Sequence, residues 1–260
     1  MAYPDVLYGP ESEVYNTSAA VDPAPGDNGA GGAVAQRGKE SLGKQLSLSD
    51  GRKFRFTRAG GTNLVVGFVQ QSAVIIGTDQ SMAAAATAVD SRTISFTHGG
   101  ATVILNYFAE GYAIVSLDPG EGQTFKIASH AALPSTATGT VNLAPGNAVR
   151  TALTATSDIS LMAHPYDGAV ICAATITGLP TGVAITAIPS GEFGWLQTRG
   201  PAAVTCTGSI LIGGPVVMLL SGGTAGTPAP SSASTQPQVG FVQMPEAGGE
   251  ASGLFLTIDG

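Results

Sequence analysis

Leu46-Ser47-Leu48-Ser49-Asp50-Gly51-Arg52-Lys53-Phe54-Arg55-Phe56 decides the fold class. Leu46 and Leu48, then Phe54 and Phe56, alternate with polar residues, which sets their side chains on one face of each of two strands. Asp50-Gly51 suits a tight turn with positive φ at both central residues, so an antiparallel hairpin is expected. Lys53, Arg55 and Arg58 then point away from the apolar face. A solvated basic face that keeps a strand soluble accounts for them; a contact with a partner is the competing reading.

Charge is unevenly spread around this hairpin. Arg37, Lys39, Lys44, Arg52, Lys53, Arg55 and Arg58 are seven of the chain's 11 basic residues, whereas the first 36 residues hold five acids and no base. An acidic arm beside a basic hairpin can pair within one chain or between neighbours. The net charge of −7 argues against nucleic acid as a partner of the whole molecule.

Composition supports an all-β chain of short-strand sandwich or barrel domains. Charged residues make up 11% of the 260, with 36 Gly and 16 Pro, a balance that gives many turns and few helix surfaces. Mean hydropathy is +0.25. The longest apolar run, Ile210 to Leu220, is too short and broken to span a bilayer and reads as two buried strands around a Gly-Gly-Pro turn. Apolar surface is therefore expected against other subunits and not against a membrane. Cys172 and Cys206 make no disulfide framework, and the N-terminus does not resemble a signal peptide, so synthesis in a reducing cytoplasm is expected.

Three parts are expected along the chain. Residues 1–40, with Pro4, Pro10, Pro23 and Pro25 and with Tyr3, Tyr8 and Tyr15 among the first fifteen, read as an extended arm that orders on a partner. Residues 41–132 read as one β domain, its only helical passage being at most two turns over Met82 to Val89. The Ser/Thr/Pro/Gly stretch from Leu133 to Gly146 reads as a boundary, and residues 133–260 as a second β domain with a mobile loop at 222–238. Val66-Gly67-Phe68-Val69-Gln70 recurs as Val239-Gly240-Phe241-Val242-Gln243, which suggests equivalent strands in related sheets.

No catalytic, cofactor or metal motif stands. Gly38 to Lys44 has a phosphate-loop spacing, but Gln45 replaces the hydroxyl residue and a strand follows where a helix must open. Gly120-Glu121-Gly122 has Phe125 where the third glycine of a dinucleotide fingerprint belongs. His98, His130 and His164 lack metal-ligand spacing, and His164 near Asp167 has no nucleophile motif to serve. Asp118 and Glu121 are too few carboxylates for calcium. Trp195 reads as a core or interface anchor before a sugar platform.

The hairpin, Gly60-Gly61-Thr62 and Val66 to Gln70 open a series that continues with Asn106-Tyr107-Phe108-Ala109-Glu110-Gly111-Tyr112, Gly120 to Ile127, His164-Pro165-Tyr166-Asp167-Gly168 and Gly194 to Pro201. In this order, from about Gly38 to the C-terminus, the chain resembles the decoration (cement) proteins on the heads of tailed bacteriophages. The resemblance implies a non-enzymatic structural protein of the virion that bridges major capsid protein subunits on the outer surface of the capsid, without cofactor. It also implies a homotrimer. A carbohydrate- or receptor-binding virion appendage is the alternative, and a depolymerase ranks below both because no paired carboxylates stand out. The candidate partner-facing residues are Tyr3, Tyr8, Tyr15, Arg52, Lys53, Arg55 and Arg58.

Overall fold

The computed structural model describes residues 6–17, 40–247 and 250–259; Tyr3 and residues 18–39 of the expected arm lie outside them. The chain is nearly all β. Its first strands are β1 (Val6–Tyr8), β2 (Gln45–Ser47), β3 (Lys53–Arg58) and β4 (Val69–Gln71). Then come β5 (Met82–Ala83), β6 (Thr93–Thr97), β7 (Tyr112–Val115), β8 (Thr124–His130), β9 (Thr138–Leu143) and β10 (Asp158–Met162). The last group is β11 (Val170–Ile171), β12 (Pro180–Ala184), β13 (Phe193–Thr205), β14 (Pro215–Val217), β15 (Ala229–Pro230), β16 (Gln238–Met244) and β17 (Ala251–Thr257). Short 3-10 turns at Glu11–Tyr15 and Gly77–Asp79 are the only helical elements among the described residues.

The chain divides into two units, and the second is inserted in the first. Among the described residues the first comprises 6–17, 40–74 and 165–259, and the second 75–164. The Leu133 to Gly146 stretch, expected as a boundary, lies inside the second unit, where β9 occupies part of it and pairs with both β6 and β8. Its Thr-Gly-Thr-Val-Asn-Leu sequence alternates buried and exposed positions behind a loop-like composition. Gly139 fits because any side chain there would meet the Phe96 ring.

In the first unit β1-β2-β3-β13-β17-β16-β14-β15 follow one another across a barrel-like sheet, and β12 connects β13 to β4 and β11. β13 is its spine. Residues 193–199 of β13 pair with β3 and residues 199–205 with β17, across a bulge between Gln197 and Arg199. The sequence reads two strands here because Gly200-Pro201 signals a turn; the bulge and the positive φ of Gly200 absorb that signal within one strand. Leu46, Phe54, Phe56, Phe193 and Trp195 fill one core, and Val69, Cys172, Val204, Val239, Leu254 and Leu256 belong to another.

The hairpin forms, with Leu46 opposite Phe54. Its turn differs from the expected one. Gly51 N–H donates to Leu48 O (3.1 Å) and Leu48 N–H to Arg52 O (3.0 Å), a three-residue loop in which Gly51 alone takes positive φ, +88°. Asp50 Oδ1 accepts the Arg52 N–H (3.0 Å), a side-chain bond to the backbone two residues on that closes the loop locally.

The second unit is a six-stranded sheet, β5-β10-β7-β8-β9-β6, around Ile94, Phe96, Phe125, Ile127, Val141 and Ile159. The Ala-rich stretch expected as helix is extended: Met82–Ala83 pairs with β10, and Ala84 and Thr87 bridge to Phe96 and Leu153. Tertiary pairing overrides helix propensity where Met82 and Ala84 have a core to enter. The stretch expected as a loop at 222–238 is anchored by β15, which pairs with β14, and by buried Thr227. Val66-Gly67-Phe68-Val69-Gln70 is not equivalent to its echo, since Gly67 has φ +75° and pairing begins only at Val69, whereas β16 is continuous.

Candidate interaction surface

The basic hairpin is neutralised by its own chain. Arg52 donates through Nη2 to Glu11 Oε1 (2.7 Å) and through Nε to Asp50 Oδ2 (2.6 Å). Arg55 Nε donates to Asp259 Oδ2 (2.6 Å) and its Nη1 to Gly43 O (2.9 Å). Arg58 Nε donates to the buried carboxylate of Asp167. Lys53 makes no ion pair among the described residues and lies opposite Ser47 and Arg199. Of the basic face expected from alternation, Lys53, Arg55 and Arg58, the two arginines are therefore paired within the chain, as is Arg52 at the turn.

Electrostatics follow from these contacts. The backbone and then the side-chain hydrogen bonds of Arg52 hold the Asp50 carboxyl below its ordinary value. Burial works against the charge of Arg52, yet hydrogen bonds to Glu11 and Asp50 outweigh it and raise the guanidinium. The hydrogen bond to Asp259 raises Arg55. Burial pushes Asp167 up even with Arg58 beside it, and burial pushes the neighbouring Tyr166 up to about 12.

The arm lies along the same sheet edge. β1 pairs in parallel with β2, Val6 opposite Gln45 and Tyr8 opposite Ser47. Val14 is fully buried with Leu46, Phe54 and Trp195, while Tyr8 is 84% exposed and Tyr15 53%. The acidic arm thus meets the basic hairpin within one chain, through Glu11 and Arg52. In the described part of the arm, Val14 anchors the segment to the chain's own core, while Tyr8 and Tyr15 face outward.

Other candidate chemistry resolves into structure. Trp195 is 1% exposed and meets Phe56 edge-on at 5.0 Å, so its face offers no sugar platform. His98 Nε2 and Asp79 Oδ1 lie 2.8 Å apart, both side chains being buried, and His98 Nδ1 lies 2.9 Å from Pro134 O. Because a carbonyl only accepts, Nδ1 is the donor to Pro134 O. Asp167 serves Arg58. Burial, and then Lys126, lowers His164 to about 4. Cys172 and Cys206 are free and buried, their thiols pushed up to about 11 by burial.

No family model matches this chain, and no curated protein or solved structure matches it either.

Proposed function

We propose that the chain is a structural virion protein that decorates the icosahedral head of a tailed bacteriophage and stabilises it by bridging major capsid protein subunits. The observation that carries this reading is the ordered series of glycine-based motifs from the hairpin to Gly194-Trp195-Leu196-Gln197. A further support is the amount of apolar side chain left outside the cores of a chain with few charges, Tyr8, Tyr15, Val65, Val66, Leu211, Ile212 and Phe241 all being exposed. Each copy contributes modest contacts, and repetition over the lattice makes them effective. With Arg52, Arg55 and Arg58 engaged internally, Tyr8, Tyr15 and Lys53 are the hairpin-side residues left to face a shell. A homotrimer on the outer capsid surface is the assembly proposed.

Mixing the purified protein with empty shells and reconstructing the particles tests this. Density over the outer shell supports it; density only at the tail or inside the head ends it. The second reading, a glycan- or receptor-binding appendage, rests on the exposed rings of Tyr8 and Tyr15. Glycan-array binding by the isolated protein that is lost in Tyr8→Ala would favour it.

A further inference from the structure

In the second unit, residues 104–111 run from the bridge between Val103 and Leu133 to the start of β7, and one residue, His130, holds most of their length. Its Nε2 accepts the Phe108 N–H (2.9 Å), its backbone N–H donates to Asn106 Oδ1 (2.9 Å), and its carbonyl accepts the Asn106 N–H (3.2 Å). Ile127 ties the far end, its carbonyl accepting the Glu110 N–H (2.9 Å) and its N–H donating to Gly111 O (2.9 Å).

The partners of the His130 ring define its protonation. Nδ1 lies 2.6 Å from Ala131 O, which only accepts, so Nδ1 carries the proton and Nε2 keeps the lone pair that Phe108 uses. The side chain is buried. The segment is closed against strain. Asn106 and Glu110 take positive φ, +59° and +64°, a conformation that non-glycine residues keep only where their surroundings enforce it. Glu110 Oε2 is buried without a hydrogen-bond partner among the described residues, a cost that opening would relieve.

We infer that His130 is an acid-sensitive latch: a proton taken up at Nε2 removes the acceptor of the Phe108 N–H, and the segment from Ile104 to Gly111 opens while the surrounding sheet stays folded. Two donors then face each other in the closed form, which therefore resists the proton. Burial lowers His130 below its ordinary 6.5; the bond to Ala131 O works against this, and His98 adds to it. His98 follows β6 and is paired with Asp79 of the 3-10 turn. The segment itself carries Tyr107 and Glu110, β8 carries Lys126, and β9, which places Val141 opposite His130, carries no charge. The open form binds its proton near 6.5, so opening gains as pH falls below that value, by up to about tenfold per pH unit for one proton.

Hydrogen exchange of the full chain, followed by NMR between about pH 7.5 and 5 and corrected for the intrinsic rate, tests the inference. His164→Gln serves as the background, so that the other histidine with a lowered pKa does not contribute. The Phe108 amide should lose protection below pH 6.5 while the strand amides of β6 and β9 keep theirs. Adding His130→Gln, whose amide oxygen can accept the Phe108 N–H but takes up no proton, should make the Phe108 protection independent of pH. A Phe108 protection that stays level with pH in the background chain, or that is lost together with β6 and β9, overturns the inference whether or not the His130 variant folds. A pH dependence that persists in His130→Gln overturns it as well and assigns the effect to His98 and Asp79.

Discussion

Arg58 and Asp167 show what one ion pair does in a chain with so few charges. The carboxylate is 9% exposed, and burial pushes its pKa up while Arg58 works in the other direction. Removing only the cation strands a buried acid. Arg58→Met should cost about 3–5 kcal/mol in urea unfolding, and the further change Asp167→Leu should recover most of that loss. Equal stability of wild type and the single variant would show that the pair is merely solvated. His164 gives a second test. The folded chain keeps it neutral down to about 4, whereas the unfolded chain binds a proton near the ordinary 6.5. Its stabilising contribution is therefore present above pH 6.5 and is lost as pH falls toward 4, by up to about 3 kcal/mol. Burial lowers His130 in the same direction. His164→Gln should flatten this acid limb, and an unaltered limb would assign it elsewhere. The arginines were legible as residues, but their partners were not. Glu11, Asp167 and Asp259 lie 41, 109 and 204 positions from the arginines they meet, and no local pattern announces such pairs.

At the scale of elements, the hairpin turn isolates a backbone effect from packing. Gly51 has φ +88° and open space where a Cβ would stand, so Gly51→Ala adds no clash and tests conformation alone. It should cost about 1–2 kcal/mol, measured by urea unfolding, and a neutral result would mean that the loop relaxes to another turn. Strands were legible where alternate side chains are buried, as in β2 and β3 of the hairpin. They were hidden where a stronger local signal competed. Gly200-Pro201 split β13, an alanine run masked β5, and a Thr/Gly composition concealed β9. The apolar run after Ile210 misled in the opposite sense: Leu211 and Ile212 are 75% and 74% exposed and not in a buried strand, since hydrophobicity predicts burial only when the chain has somewhere to bury it.

At the scale of the whole molecule, the sequential two-domain reading gives way to an insertion, and this has a testable consequence. Both connections leave the first unit near one another: a Cβ placed on Gly168, three residues after the return crossing, would stand 3.5 Å from the Ala73 Cβ. Ser72 N–H donates to Leu179 O (2.8 Å), and β4 pairs with β11 and β12, so the residues flanking the crossing are held by the first unit's own sheet. The two sheets share no strand, and each surrounds its own buried cluster. Insertions of this kind are tolerated where their ends are close, and the same geometry permits removal. Replacing residues 75–164 with a short Gly/Ser linker should therefore leave a folded first unit. Trp195 is the chain's only tryptophan and lies in that unit's core, so its emission reports on the first unit alone. The excised protein should keep the buried-indole emission of the full chain and lose it in one cooperative urea transition. In the full chain, far-UV circular dichroism should also register the unfolding of the second sheet, to which tryptophan emission is silent. An excised chain with solvent-exposed indole emission would mean that the first unit needs the insertion in order to fold.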